Sequence, residues 1–369
     1  MAEHRIPTAA LHRWVVDLFR AAGSSDREAT LTADHLVGAN LAGHDSHGVG
    51  MVPRYVDSLL NDELQLNRIT TVISDTGTML AVDGQRGMGQ SVTHQAMEMA
   101  IERARRHGVC VMGLRHSHHL GRVGHWAEQA VAAGMVSIHF TNAVTRNILV
   151  APHGGGEARY NTNPFTVGMP RQDGGPIILD FATSAVAQGK VRVAYNKKVP
   201  VPPGSLIDVS GEPTNDPAVM FEPPEGPHGA LRPFAGHKGY ALGVVCELLG
   251  AALIGGDTMR PDTRPTRYGV WNNMLAIVFD PARLGGSAGF EAEARHFVDW
   301  LRSAKLSSEG REIGGIHLPG DPERASRQAR AEVVPIDPGT MTQMDAASAA
   351  IARRFGQSPG PLSALERGC

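Results

Sequence analysis

The stretch VCVMGLRHSHHLGRVGHWAEQAVAAGMVSIHF, residues 109–140, gives the clearest indication of the fold. Its first four residues form a short apolar run that is typical of a strand buried on both faces. The polar loop HSHHLGRVG follows, then a helix expected from about His125 to Ala133 with Gly134 as its C-cap, then the apolar run MVSIHF. This order predicts a strand–loop–helix–strand unit in an α/β fold, with free N–H groups at the helix start to bind a ligand.

A second unit of this kind lies in PIILDFATSAVAQGKVRVA, residues 176–194. Its apolar run Ile177–Leu179 predicts a strand that Asp180 closes. A helix of small residues is expected to start at Thr183 or Ser184, and Gly189 within it permits another segment to approach closely. Asp180 is expected either to cap a helix N-terminus or to orient a histidine for proton transfer.

Helical segments flank these units. Thr8 is expected to cap the first helix, and Ser25 with Glu28 to form a capping box for the second. The segment GHDSHGVG, residues 43–50, follows the second helix as a loop. The most apolar helix, Gly239–Ile254, is expected to be central, and two or three helices are expected in the tail.

Length and composition exclude several classes of protein. The chain has 369 residues, which predicts two or three domains, and its formal net charge is −2. A near-neutral chain has no overall field to hold nucleic acid or an anionic membrane surface. Three cysteines form no even disulfide framework, and neither a signal peptide nor an apolar run of about 18 residues is evident. We therefore expect a soluble cytoplasmic protein.

Histidine is unusually frequent: 17 are present, and ten of them lie between His44 and His153. His47 lies in the sequence Asp45-Ser46-His47-Gly48. An imidazole passes a proton to or from a substrate oxygen when a neighbour such as Ser46 or a converging carboxylate fixes its tautomer. The alternative is a loop histidine that only binds backbone groups.

A metal site is the other use of clustered histidines. His116, His118 and His119 form H-x-H-H, with His44 and His47 upstream. No H-E-x-x-H pair is present, and no carboxylate stands at ligand spacing within the cluster. Adjacent side chains at a strand end also point in different directions. The sequence therefore favours a site without metal.

An anionic ligand is indicated by Lys238, which opens the apolar helix between Gly236-His237 and Gly239. A cation there opposes the helix macrodipole unless an anion such as a phosphate is shared. The alternative is a solvated loop lysine. No segment fits G-x-G-x-x-G between a strand and a helix, so an ordinary Rossmann dinucleotide site is not supported. The residues alone indicate a soluble α/β enzyme with histidine proton transfer and an anionic ligand.

At these loops the chain resembles the malate/L-lactate dehydrogenase-like oxidoreductases, a family that includes L-sulfolactate dehydrogenases, and within it a bacterial hydroxycarboxylate dehydrogenase branch. The matching stretches occur in the same order over roughly residues 30 to 320. They are NLAGHDSHGVGMVPRYV, HSHHLGRVGHWAEQA, NTNPF, LDFATSAVAQGKV, VPVPPG-x-LIDV, PTNDPAVM and GHKGYALG.

The resemblance implies an α/β (α+β) non-Rossmann NAD(P)-binding fold with a mostly antiparallel central sheet and a helical domain from both termini. It places an N-terminal helical part at 1–75, a dimerisation domain at 76–117 and 282–369, and the NAD(P)-binding domain at 118–281. It also implies a homodimer, NAD or NADP as cofactor, and reversible hydride transfer between the nicotinamide and a small-molecule 2-oxo acid.

The resemblance also implies roles for individual residues. His47 matches the family's proton donor, Ser46 and Asp180 match its partners, and His119 matches a histidine called the catalytic base in one branch. Cofactor contacts carry over to His47 and to a set of loop residues: Gly121, Arg122, Val123, Leu179, Asp180, Phe181, Ala182, Thr183, Ser184, His237, Lys238, Asn272, Asn273, Leu318, Pro319 and Gly320.

One position departs from the family pattern. Many members have an arginine that binds the substrate carboxylate where this chain has Met51, so Arg54 or Arg146 is expected to supply the charge. A neutral, flexible methionine favours a bulkier substrate tail. We therefore expect phenylpyruvate, hydroxyphenylpyruvate or 2-oxoglutarate as substrate. The alternatives are malate, L-lactate or L-sulfolactate, and then a metal-dependent hydrolase or lyase.

Overall fold

The computed structural model describes residues 3–265, 269–285 and 287–365. The helices in these ranges are α1 (Thr8–Ala21), α2 (Asp26–Leu41), α3 (Val52–Leu60), α4 (Gly89–His107), α5 (Gly124–Ala132), α6 (Gln188–Lys197), α7 (His237–Gly250), α8 (Ser287–Arg302), α9 (Ser308–Glu312), α10 (Asp321–Ala329) and α11 (Pro338–Phe355). The strands are β1 (His4–Pro7), β2 (Thr71–Asp75), β3 (Met79–Asp83), β4 (Val109–His118), β5 (Val136–Thr145), β6 (Phe165–Met169), β7 (Ile177–Phe181), β8 (Leu206–Ile207), β9 (Pro213–Thr214), β10 (Ala230–Leu231), β11 (Val270–Phe279) and β12 (Val333–Ile336).

A seven-stranded sheet in the order β2-β3-β4-β11-β5-β6-β7 organises the molecule. The sheet is mixed: β3 and β4 are parallel, and all the other neighbouring strands in the sheet are antiparallel. β11 lies between β4 and β5 and is antiparallel to both, so β4 and β5 run in the same direction with α5 connecting them. The predicted strand–loop–helix–strand unit and the mixed α/β class are thus confirmed.

One face of the sheet is covered by α4 and α5. The buried positions Ala96, Ala100 and Ala104 of α4 recur every four residues, so they form a small-residue stripe that lets the helix lie close to the strands. Trp126 of α5 is almost completely buried in the same core, against sheet residues such as Met112. This packing holds the loop between β4 and α5 at the end of the sheet.

A helical layer is built from both ends of the chain. Strand β1 pairs antiparallel with β12, so that His4 lies opposite Ile336. Helices α1, α2, α3 and α11 pack around one buried apolar cluster that includes Phe19, Leu36 and Ile351. The loop at residues 43–50 follows α2 and so starts from this layer.

The expectation of a central apolar helix is wrong. Helix α7 buries only its small residues, Gly239, Gly243, Cys246 and Gly250, among those the structure describes. These residues let it lie close to its neighbours: a Cβ on Gly250 would come 2.7 Å from the backbone oxygen of Phe140. Its other face is open to solvent, with Leu248 52% exposed. By length and composition alone, His237–Ile254 is also apolar enough to cross a membrane.

The predicted caps are confirmed in part. Ser25 accepts a hydrogen bond from the backbone of Glu28 and caps α2, as expected. The Glu28 carboxylate does not complete the capping box; it accepts from the Ser24 hydroxyl and the Asn67 backbone instead. Thr8 does not cap α1, because α1 starts at Thr8 itself and its hydroxyl donates to the Arg330 carbonyl at 3.2 Å.

Candidate active site

The loop that carries Ser46 and His47 is held against α2. It forms two short 3₁₀ turns, Asp45–His47 and Val49–Met51. The Asn40 side chain bridges them, donating to Asp45 Oδ1 at 2.7 Å and accepting from the Val49 amide at 2.8 Å. A Cβ on Gly48 would lie 2.2 Å from Asn40 Oδ1, so only glycine fits there. Ser46 and His47 are therefore held in one position by a side chain of α2.

His47 faces His119, which follows β4. Their ring centroids are 5.7 Å apart and the planes are tilted by 24°. Ser46 Oγ lies 3.0 Å from His47 Nδ1. Burial in the cleft lowers the pKa of His47, the charge of Asp180 opposes that shift, and His44 and Arg122 lower the pKa further. The balance favours neutral His47 at neutral pH, a form that can accept a proton.

Asp180 lies near the end of β7 and caps a helix, but not the helix that follows it. Its carboxylate accepts from the Gly124 amide at the start of α5 and from the Thr166 hydroxyl, each at 2.7 Å. Its negative charge raises the pKa of His47 through space. Asp180 thus caps α5, and its charge acts on His47 through space; its role in orienting a histidine stays a prediction.

Two residues that sequence reasoning missed hold His119. The Tyr55 hydroxyl lies 2.8 Å from His119 Nδ1, and Gln90 Nε2 lies 3.0 Å from that hydroxyl. Tyr55 is fully buried. Burial lowers the pKa of His119 well below its ordinary value, and the nearby charges of His47, His118 and Arg54 lower it further. Tyr55 lies in the quoted motif VPRYV, but nothing in the sequence distinguishes Gln90.

The loop Gly121–Val123 is held by His35 of α2, a further residue that the sequence did not single out. The Arg122 amide donates to His35 Nε2 at 2.8 Å, so this imidazole is a neutral acceptor. Gly121 has a φ of +72°, and a Cβ there would lie 2.1 Å from His35 Nε2. The Leu120 amide donates to Asn272 Oδ1 at 2.9 Å. A helix and a strand thus hold the loop from two sides.

The structure brings most of the other predicted cofactor residues together around the end of β7. The Phe234 amide donates to the Thr183 carbonyl at 3.1 Å, which places the start of α7, with His237 and Lys238, beside the segment 179–184. The Ile178 amide donates to the Pro319 carbonyl, also at 3.1 Å, which joins the turn 318–320 to the same strand.

Asn272 and Asn273 use their amides within the protein. Asn272 Nδ2 donates to the Asn142 carbonyl at 2.7 Å, and Asn273 Nδ2 donates to Asn142 Oδ1 at 2.9 Å. Asn273 Oδ1 also accepts from the His116 amide at 2.8 Å. Both residues are almost completely buried. Their contacts therefore hold β4, β5 and the loop after β4 in register.

The expected substrate residues occupy different surroundings. Met51 is partly buried and packs against the helical core. Arg54 of α3 is also partly buried. Its positive charge lowers the pKa values of His118 and His119, so it lies near these two side chains. Burial lowers the pKa of Arg54 itself, while Tyr55 and Glu63 oppose that shift. Arg146 follows β5 and is exposed.

Comparison with known proteins identifies this arrangement. A sequence model of malate/L-lactate dehydrogenases matches residues 6–345. The chain belongs to the malate/L-lactate dehydrogenase family. It is 46% identical over 339 residues to hydroxycarboxylate dehydrogenase B of Escherichia coli O157:H7, covering 91% of each chain. It is 41% identical to an L-lactate dehydrogenase of Cupriavidus necator, covering 85% of this chain and 88% of that protein.

A solved structure has the same fold as this malate/L-lactate dehydrogenase family member. The sulfolactate dehydrogenase of Methanocaldococcus jannaschii superposes with a TM-score of 0.84 at 28% identity, covering 96% of this chain and 98% of that one. The resemblance predicted from the loop motifs is confirmed, including its hydroxycarboxylate dehydrogenase branch. The protein is an oxidoreductase of the hydroxy-acid dehydrogenase type.

The remaining clustered histidines of this dehydrogenase make protein contacts. His44 Nε2 lies 3.0 Å from Glu323 of α10, and His116 Nδ1 lies 2.9 Å from Asp83 of β3. His118 is completely buried and packs edge-on against Tyr55, with ring centroids 5.4 Å apart. In the described ranges, no group of three histidine, cysteine or acidic side chains is arranged to hold a metal ion.

The contact between Gly121 and His35 leads to a first prediction. Gly121→Ala combines a left-handed backbone with a clash against His35, so we expect the free energy of unfolding to fall by about 3 kcal/mol. The matched control is Gly134→Ala, at φ +80° with nothing within 4 Å of the new Cβ, where only about 1 kcal/mol should be lost. Urea denaturation of both variants measures the difference. Equal losses would show that the loop does not depend on this close approach.

Proposed function

We propose that this dehydrogenase reversibly reduces 2-oxo acids to 2-hydroxy acids with NADH or NADPH, and that His47 transfers the proton. The observation that carries the proposal is the pair of facing imidazoles, His47 and His119, with centroids 5.7 Å apart beside the loop after β4. Reduction of a carbonyl to an alcohol requires a proton at the oxygen as well as a hydride at the carbon. A histidine is suited to that proton transfer near neutral pH.

The loops around β7 fit a nicotinamide dinucleotide without a Rossmann motif. The bound cofactor supplies or accepts the hydride. Gly121, at a φ of +72°, lets the loop after β4 lie directly against His35, which fixes the loop backbone in one position. Lys238 is exposed on the first turn of α7 and has no acidic partner in the part of the chain that the structure describes. Lys238 would hold a phosphate of the cofactor.

In the direction of reduction, His47 gives its proton to the substrate oxygen, and in the reverse direction it takes that proton back. Ser46 Oγ, 3.0 Å from Nδ1, holds the ring so that Nε2 is left for the substrate. The Asp180 carboxylate stabilises the protonated imidazole, because its negative charge raises the pKa of His47. Ser46 thus orients the ring through Nδ1, and Asp180 stabilises its charged form through space.

Met51 and Arg54 support a large substrate. Met51 has an uncharged side chain. Arg54 is positively charged and lowers the pKa of His119, so it lies near the imidazole. We propose that Arg54 binds the substrate carboxylate and that Met51 contacts a bulky or aryl tail, as in phenylpyruvate or hydroxyphenylpyruvate, with 2-oxoglutarate a further candidate. The second candidate function is malate, L-lactate or L-sulfolactate dehydrogenation, which the names of the relatives favour.

A substrate panel tests this function. With NADH or NADPH, we expect kcat/KM for phenylpyruvate to exceed that for oxaloacetate by at least about tenfold, the range that contacts in one pocket supply. Met51→Arg should reduce or reverse the ratio, and Met51→Leu, which stays neutral, should preserve it. A preference for oxaloacetate in the unmodified enzyme would support the malate alternative. Absence of NADH and NADPH oxidation with every 2-oxo acid would overturn the function itself.

We also propose that a second copy of the chain covers the open face of α7, giving a cytoplasmic homodimer. Val245 and Leu248 of α7 are 38% and 52% exposed, and Leu253, just after the helix, is 66% exposed. Exposed apolar patches of this kind mark association sites. Cys110 and Cys246 are buried and unpaired, in keeping with a reducing compartment. Sedimentation of the wild type and of Leu248→Asp tests the dimer, since the charged variant should dissociate.

A further inference from the structure

The hydrogen bonds of Gln90 determine how Tyr55 can bond. Gln90 Nε2 lies 3.3 Å from the backbone carbonyl oxygen of His119, which can only accept. The side-chain nitrogen of Gln90, rather than its side-chain oxygen, must therefore face the His119 carbonyl oxygen. The same NH₂ group lies 3.0 Å from the Tyr55 hydroxyl oxygen and donates its second hydrogen there. Tyr55 thus receives a hydrogen bond from Gln90 and needs an acceptor for its own hydrogen.

That acceptor is Nδ1 of His119, which lies 2.8 Å from the Tyr55 hydroxyl. Tyr55 is fully buried, so bulk water does not take its place. In the reverse arrangement, an Nδ1–H of His119 would donate to Tyr55, and the phenol hydrogen would be left buried without a partner. An unmade buried hydrogen bond of this kind is costly, about 1–3 kcal/mol. The network therefore leaves Nδ1 of His119 without a proton.

We propose that Gln90 and Tyr55 are positioning residues that hold neutral His119 as its Nε2–H tautomer, so that His119 offers the substrate a hydrogen-bond donor and not a proton acceptor. Its target would be an oxygen of the 2-oxo acid, and in this respect the inference rests on the proposed function. His47 differs, because its Nδ1 neighbour is the Ser46 hydroxyl, which either donates or accepts. His47 can therefore change its protonation state, while His119 keeps one form.

The burial of His119 acts in the same direction as the network. A positively charged imidazole would carry a proton on Nδ1 and so lose the hydrogen bond from Tyr55. Burial and the nearby positive charges also lower the pKa of His119, which keeps the ring neutral at working pH. The same ring stacks near His47. The two histidines of the site would therefore have separate roles, one as a fixed donor and one as the group that titrates.

The test reads the tautomer directly by two-bond ¹H–¹⁵N correlation of the full-length protein labelled on histidine. The His119 signals are assigned by their absence in His119→Gln. We expect the Nε2–H pattern in the wild type at pH 7, and loss of that pattern to a mixture of tautomers in Tyr55→Phe, which keeps the packed ring. In Gln90→Leu, only part of the His119 population should leave the Nε2–H tautomer. The matched control is Tyr160→Phe, which removes a buried hydroxyl elsewhere and should leave the signals of His119 unchanged.

The wild-type spectrum is decisive even if a variant does not fold. An Nδ1–H pattern, or a charged ring at pH 7, overturns the inference, as does an unchanged pattern in folded Tyr55→Phe. In kinetics, we expect kcat/KM for the 2-oxo acid to fall about tenfold in Tyr55→Phe, with the KM for the cofactor unchanged. Because the spectrum is recorded without substrate, failure of the proposed function would leave the tautomer result standing, and the reverse also holds.

Discussion

His47→Asn is expected to lower kcat for 2-oxo acid reduction by about 10²–10⁴, the usual contribution of general acid–base catalysis. Asparagine keeps a polar side chain in the loop that Asn40 holds, so the position of Ser46 should be preserved. It cannot transfer a proton at neutral pH. In our proposal Lys238 on α7 holds the cofactor phosphate, so the dissociation constant of NADH or NADPH should change much less than kcat. The measurements are steady-state kinetics and fluorescence titration of the cofactor.

The matched control is His94→Asn, in which a partly exposed histidine that lies 3.2 Å from Glu98 on α4 is changed in the same way. It should keep nearly full activity. Near-normal kcat in His47→Asn, together with a large loss of kcat in His119→Asn, would show that His119 and not His47 transfers the proton. That result would also contradict the assignment of His119 as a fixed donor.

The pH dependence separates the two directions of the reaction. In the proposed mechanism, oxidation of a hydroxy acid requires neutral His47, whose pKa is lowered by burial from the ordinary value near 6.5. We expect kcat/KM for oxidation to remain high down to below pH 6.5 and to fall at lower pH, as the imidazole becomes protonated. Loss of the Asp180 charge in Asp180→Asn should move this fall to still lower pH, because that charge raises the pKa of His47.

Local signals in the sequence predicted the parts of the site that one segment determines. The unit around residues 109–140 predicted β4, α5 and β5, because a buried strand and a capped helix have recognisable patterns. Gly189 was predicted to permit a close approach, and a Cβ there would indeed lie 2.7 Å from the Ser46 Cβ. The sequence did not indicate which segment approaches, since residues 46 and 189 meet only in the folded chain.

Contacts between distant segments explain what the sequence could not predict. The hydrogen bonds of Gln90, Tyr55 and His119 join α4, α3 and the loop after β4, and no residue pattern connects these segments. Helix α7 is different, because its small residues at 239, 243, 246 and 250 follow helical spacing. That pattern predicts one face in close packing and leaves the apolar residues outside. The high mean apolarity of the segment concealed this division.

Buried neutral histidines are expected to make the folded protein sensitive to acid. Burial lowers the pKa values of His118 and His139 to about 3, and both side chains are completely buried. Below pH 6.5 the unfolded chain binds protons that these sites in the folded chain do not. The free energy of unfolding should therefore fall with decreasing pH, by about 1.4 kcal/mol per pH unit for each such histidine. Buried His35 and His119 have lowered pKa values too and add to the slope.

His139 allows one of these contributions to be measured away from the proposed site. It lies on β5, and its Nε2 is 2.9 Å from the Ser137 hydroxyl. His139→Gln removes one proton-binding group of the unfolded chain, so between pH 6 and pH 4.5 the slope of unfolding free energy against pH should decrease by about 1.4 kcal/mol per pH unit. The matched control, Ser137→Ala, removes the hydrogen bond but no titrating group, so it should lower stability and leave the slope unchanged. Urea denaturation from pH 4.5 to pH 8 gives both slopes. An unchanged slope in His139→Gln would mean that His139 takes up its proton without unfolding, and the acid sensitivity would then have to come from other groups.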